Sequence, residues 1–134
     1  MALNIRLDGD LAILSNFGRL MNDPAHFDAS RDVARLLDDG YRAFVMEMIG
    51  VGELGSSGLG LLTTITRQVR QAGGELVLAS VRRPLSQFLD EMHMDSYWET
   101  FRGMDEAQAF VLRRVRPRVK PAELDEDEAE RDAG

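Results

Sequence analysis

With 134 residues, 44 % of them hydrophobic, the chain can bury one core but not two. It has no cysteine, no apolar run near the roughly 18 residues of a membrane span and no basic-then-apolar leader; this excludes a disulfide scaffold, a thiolate metal site and direct membrane insertion, and makes the cytoplasm the expected compartment. The net charge of −7 lies almost wholly in residues 121–134, where seven acidic residues face Arg131 alone, so the acidity describes a tail and not the folded part.

Leu3 to Leu7 and Leu11 to Ser15 read as two short strands around a turn at Asp8-Gly9-Asp10. Asp23-Pro24 is a helix-start signal, and Phe27, Val33, Leu36 and Leu37 supply the apolar stripe of the first helix up to Asp39-Gly40. Ala43 to Ile49 is apolar almost throughout, as in a strand buried on both faces. Residues 57–71 carry Leu62, Ile65 and Val69 at helical spacing, and Gly73-Gly74 ends that helix. Glu75 to Val81 is a second central strand. Pro84 opens a third helix with Leu85, Phe88, Leu89 and Met92 facing inward. Tyr97 to Phe101 has the pattern of a short edge strand, and Asp105-Glu106 starts a last helix reaching about Val115. The alternation of strands and helices after an opening hairpin predicts an α/β domain with a mixed sheet over residues 1–116, followed by an acidic, disordered tail over 117–134.

Most motifs that carry chemistry fail in context. Gly50-Val51-Gly52-Glu53-Leu54-Gly55 has the spacing of a dinucleotide fingerprint, but its glycines precede the helix instead of opening it. A phosphate loop of the lysine type is excluded because the only lysine is Lys120. A hydrolase elbow centred on Ser57 has Leu59 where the second glycine belongs. His26 and His93 pair with no carboxylate at metal-ligand spacing and read as surface residues. Arg113, Arg114, Arg116, Arg118 and Lys120 form a basic run without interleaved aromatics, immediately before the acidic tail; it reads as a solvated helix end and not as a nucleic-acid surface. Met46, Met48, Met92, Met94 and Met104 read mainly as core filling. Tyr97 and Trp98 are the aromatic anchors, one of the pair in the core. No enzymatic activity, cofactor or metal is expected.

Gly55-Ser56-Ser57-Gly58-Leu59-Gly60 sits where the apolar strand gives way to a helix. Free backbone N–H groups and the positive end of the helix dipole converge there, so the position favours an anion. A serine in that place is a cap, a phosphate ligand or a residue that acquires a phosphate.

Glu47-Met48-Ile49-Gly50-Val51, Leu54-Gly55-Ser56-Ser57-Gly58-Leu59-Gly60-Leu61-Leu62 and Gly73-Gly74-Glu75-Leu76-Val77-Leu78 together resemble the STAS domain of bacterial anti-sigma-factor antagonists. Gly18-Arg19-Leu20 and Asp105-Glu106-Ala107 fit the same pattern, and the resemblance runs over about residues 3–115. It implies a mixed β-sheet with helices packed mainly on one face. It also implies a protein partner, a serine-kinase-type anti-sigma factor, which binds the unmodified antagonist and phosphorylates it at the position of Ser56. Leu54, Gly55, Ser57, Gly58, Leu59 and Thr63 are the neighbouring partner-binding positions, by adjacency alone. The family usually has aspartate just before the phosphorylated serine and often after the early G-x-L; here these positions are Gly55 and Met21. The alternative is a non-switching scaffold or accessory subunit of a stress-sensing or membrane-transport complex.

Overall fold

The computed structural model describes residues 3–20 and 27–118. The chain runs β1 (Asn4–Asp8), β2 (Leu11–Ser15), α1 (Phe17–Leu20), α2 (Phe27–Asp38), β3 (Ala43–Glu47), α3 (Gly55–Gln71), β4 (Glu75–Ala79), α4 (Arg83–Glu91) and α5 (Met104–Arg114). The sheet order is β1-β2-β3-β4. The opening hairpin makes β1 antiparallel to β2, turning at Gly9 with φ +58. β2, β3 and β4 are parallel, with Leu11 opposite Ala43 and Ala43 opposite Glu75. This is the mixed sheet that the sequence predicts.

β4, expected as a central strand, is the last strand of the sheet, beside only the isolated bridge from Leu78 to Thr100, yet both faces of the three parallel strands are covered. Leu14, Phe44, Met46, Leu76 and Leu78 point into the larger core, which holds Val33 and Leu36 of α2, Leu62, Ile65 and Val69 of α3, and Leu85 and Leu89 of α4. The alternate residues Leu11, Ile13, Ala43, Val45, Val77 and Ala79 meet Ala107 and Val111 of α5 on the opposite face. The side-chain period of two explains the apolar runs: each strand must satisfy two cores. The helices thus lie mainly on one face, with α5 covering the other.

Several boundaries differ from the sequence reading. β3 ends at Glu47, two residues early, because the Glu47 carboxylate accepts a bond from the Ile49 amide at 3.1 Å and Gly50 turns the chain at φ +78. Ile49, expected in a buried strand, is 70 % exposed. β4 stops at Ala79 because Ser80 takes φ +57. Residues 99–101 form one parallel bridge beside β4 and not a strand, through Leu78 N to Glu99 O and Phe101 N to Leu78 O. α4 ends at Glu91, and Met92, expected to face inward, is 46 % exposed. His93, just beyond, is exposed at φ +58. The expected helix start at Asp23-Pro24, the side chain of Phe27, His26, Met21 and the acidic residues of the tail lie outside the described residues.

Of the aromatic pair, Trp98 is the core member. Its indole N–H donates to Thr66 Oγ1 at 2.8 Å, and the Thr66 hydroxyl donates to the Leu62 carbonyl at 2.7 Å; both side chains are buried. Tyr97 is half-buried and engaged internally: Arg70 lies over its ring at 4.7 Å and donates to its carbonyl at 2.6 Å. Thr66→Val removes the acceptor of a buried indole and is expected to cost about 1–3 kcal/mol in urea denaturation. Thr66→Ser keeps the hydroxyl and is expected to restore most of that loss.

Candidate functional site

Because β2, β3 and β4 are parallel, the chain leaves all three at the same end of the sheet. α1, residues 48–54 and the start of α4 therefore gather there, the end where open α/β sheets place their binding surfaces. The loop after β3 is wedged between its neighbours. A Cβ on Gly52 would lie 3.5 Å from Pro84 of α4, and one on Gly18 of α1 would lie 3.5 Å from Val51. Leu54, only 4 % exposed, anchors the loop in the larger core.

α3 begins at Gly55, one residue after an N-cap at Leu54, and no side chain caps it. Gly55 has φ +64, so right-handed helical backbone starts at Ser56, and α3 begins two residues before the stretch 57–71 expected from the sequence. Neither serine caps the helix. Ser56 and Ser57 are exposed in a first turn without an acidic residue. The first-turn amides and the dipole face outward beside them, an arrangement that stabilises negative charge added at either hydroxyl.

The other positions divide by burial. Leu54 and Gly58 are buried and hold the turn; they present no side-chain surface. Leu59 is half-buried and packs on the core. The Thr63 hydroxyl already donates within the helix, 2.8 Å from the Leu59 carbonyl and 2.9 Å from that of Gly60. Gly55, Ser56 and Ser57 are the positions open to solvent.

Part of the exposed surface lies beyond the positions adjacent to Ser56 in sequence. Gly60, Thr64, Arg67 and Gln71 continue the outer face of α3 beyond the serines, and Ile49 and Glu53 flank it from the loop. The helical residues were available from the same periodicity that located the core, taken on its polar side. Ile49 gave no such signal, because its apolar character was absorbed into the strand. Among the described residues, no group of three acidic, histidine or cysteine side chains could hold a metal ion. No helix there is long and apolar enough to cross a membrane.

Gly55 and Gly60 separate backbone conformation from packing, since an added Cβ meets open space at both. Gly55→Ala forces a side chain into the left-handed region and is expected to lower stability by about 1–2 kcal/mol. Gly60→Ala, inside the helix, is expected to raise it by about 0.5–1 kcal/mol. Leu54→Ala is expected to cost about 2–5 kcal/mol by leaving a cavity under the loop. Thermal or urea unfolding of the three variants checks all of these signs.

The STAS domain family model matches residues 27–107. Among curated proteins no match is found. A crystal structure of a protein assigned as an anti-sigma factor antagonist from Thermotoga maritima is 20 % identical, with a TM-score of 0.65 over 82 % of this chain and 94 % of that one. An anti-sigma-factor antagonist (STAS) domain protein from Planctomyces limnophilus is 18 % identical, with a TM-score of 0.63 over 82 % and 97 %. A sulfate transporter family protein from Wolinella succinogenes is 17 % identical, with a TM-score of 0.63 over 80 % and 88 %. At these identities the neighbours speak for the fold, which agrees with the mixed sheet described above. The family match covers more than half of the sequence, through α2, β3, the serine turn, β4 and the start of α5: the chain belongs to the STAS domain family.

Proposed function

We propose that this domain is a regulatory, non-enzymatic protein of the anti-sigma-factor antagonist kind, acting in the cytoplasm. Its partner is a serine-kinase-type anti-sigma factor that docks over Ser56, Ser57 and the outer face of α3. Phosphorylation of Ser56 switches the contact off. The observation that carries this reading is the exposed, uncapped pair Ser56-Ser57 at the start of a 17-residue helix in a STAS domain.

The chemistry follows from the position. An unmodified hydroxyl at the second residue of α3 is small and neutral, so a partner can approach the helix start closely. Phosphate adds about −1.5 to −2 charge and three acceptor oxygens. On the free protein the first-turn amides and the dipole stabilise that charge. In the complex the same group meets a surface shaped for a hydroxyl and must lose water. Both effects favour dissociation, and a difference of about 1.4 kcal/mol lowers affinity tenfold.

A second reading, a non-switching scaffold or accessory subunit of a stress-sensing or membrane-transport complex, draws on two observations. Gly55 stands where antagonists usually carry aspartate, and one structural neighbour is named as a sulfate transporter family protein. The two readings separate in a quantitative pull-down from the native host with Ser56→Ala and Ser56→Glu baits. Under the switch reading, a kinase-like protein is retained by the alanine bait and reduced at least about tenfold on the glutamate bait. Equal recovery of the same partners on both baits, without phosphate on Ser56 in the native protein, sinks the switch and supports the subunit.

A further inference from the structure

A second feature of the same sheet end is a cluster of positive charge. Arg82, Arg83 and Arg102 line one recess of about 320 Å3. Their proximity is fixed by the backbone. The Val81 amide donates to the Phe101 carbonyl at 3.0 Å, and Phe101 N donates to Leu78 O at 2.9 Å. Arg82 and Arg102 each follow one member of the bonded Val81–Phe101 pair, so they stand side by side where β4 ends. Arg83 is the first residue of α4, whose first turn contains no acidic residue. Phe101 is held in turn by Phe110 of α5, with ring centroids 5.3 Å apart. The frame under the three arginines is thus built from the sheet edge and two helices.

Among the described residues, none of the three guanidinium groups has a carboxylate in ion-pair contact. Among the described residues the one ion pair joins Arg70 to Glu75. Arg42, Arg70 and Arg118 spend their guanidinium groups on internal carbonyls, whereas Arg82, Arg83 and Arg102 are exposed and make no such bond. Asp90 and Asp95 line a neighbouring recess with Arg83 and ion-pair with none of the three. Three like charges that line one recess, with no paired carboxylate among the described residues, repel one another, and an anion seated between them reverses the sign of that interaction.

We propose that this recess is an anion site that takes a phosphate monoester, a site separate from Ser56 and independent of whether Ser56 is modified. Three guanidinium forks match the three oxygens and the roughly −1.5 to −2 charge of such a group; a single carboxylate engages one fork only. An adjoining recess of about 410 Å3, which shares Arg83 and Arg102, is lined by Val81, Ser86, Thr100 and Phe101. Its hydroxyl groups and apolar surface suit the body that carries the phosphate.

The test is a titration of the full, isotope-labelled chain followed by nuclear magnetic resonance. Inorganic phosphate, O-phosphoserine, a phosphoserine peptide and the same peptide with glutamate in place of phosphoserine are the probes, with chloride at matched ionic strength as control. The expected result is saturable movement of the three arginine side-chain N–H signals and of the amides of residues 81–86 and 100–103. Affinity is expected to fall about tenfold or more when Arg82→Gln, Arg83→Gln and Arg102→Gln are combined, and less in the corresponding lysine variants, which keep charge but lose the fork. Tighter binding of the phosphopeptide than of inorganic phosphate assigns the phosphate to a protein segment, and equal binding assigns it to a free phosphate group; both support the site. Equal movement with chloride, glutamate-peptide binding as tight as that of the phosphopeptide, or unchanged affinity in the triple variant overturns it. If the triple variant does not fold, Arg102→Gln alone reports the same loss on a smaller scale.

Discussion

Burial of the parallel strands on both faces is the constraint from which the rest of this molecule follows. Phe44 and Met46 of β3 face one core while Ala43 and Val45 face the other, and β4 repeats the division with Leu76 and Leu78 against Val77 and Ala79. A strand buried this way must be covered by helices on each side, and its parallel neighbour can be reached only by a crossover. α3 is that crossover between β3 and β4. Parallel order then brings the exits of β2, β3 and β4 to one end of the sheet, so the serine turn and the arginine recess share an end because the core demands it.

The two faces are unequal, and the inequality has a use. Large side chains fill the side covered by α2, α3 and α4, and mostly smaller ones the side covered by α5. α3 is therefore packed along its length through Leu62, Ile65 and Val69, and it is fixed to the region beyond α4 by the buried bond between Trp98 and Thr66. Its far end closes tightly as well: Gly73 takes φ +87, and a Cβ on Gly74 would sit 2.5 Å from the Arg42 carbonyl. A helix held along its length presents the residues of its first turn in one fixed orientation. Ser56 and Ser57 thus sit on a rigid platform, which suits recognition by a partner better than a free loop does.

The elements whose residues obey a single pattern were legible in the sequence. Leu62, Ile65 and Val69 located α3 by the helical repeat, and the unbroken run Leu76-Val77-Leu78 located β4, because a strand covered on both faces is apolar at successive positions. Failures occurred where one local interaction outweighed the pattern. Ile49 continues the apolar run of β3, yet a carboxylate two residues earlier and a left-handed glycine one residue later turn the chain before it can pair. Met92 fits the stripe of α4, but the helix has ended and the side chain is left in solvent. At the site, sequence located Ser56 and Ser57 correctly at the helix start but could not tell exposed neighbours from buried ones. Leu54 and Thr63 were chosen by proximity, and the fold uses one as an anchor and ties the other's hydroxyl to the helix backbone. The arginine recess was invisible, because Arg82 and Arg102 are twenty residues apart and meet only through a backbone bond between their preceding residues.

Local charge, and not net charge, governs what this end of the molecule can bind. The first 120 residues carry a formal charge of only −1, so no strong long-range field steers a partner to them. At physiological salt an exposed charge acts over about 8 Å, so an anion in the recess meets the three arginines that line it and their near neighbours, and not the net charge of the chain. The contact between Gly52 and Pro84 places the loop that leads into Ser56 against the first turn of α4, the helix that begins with Arg83. One side of this end is then an uncapped helix start with neutral hydroxyls, and the other is a fixed positive recess. A partner with a neutral surface facing the serines and an anionic group facing the arginines is matched to both at once. Phosphate on Ser56 would act directly on the first of these contacts, at the start of α3. Release by modification is therefore compatible with an anion site that stays unchanged, because each resides on a different helix start held by the same sheet.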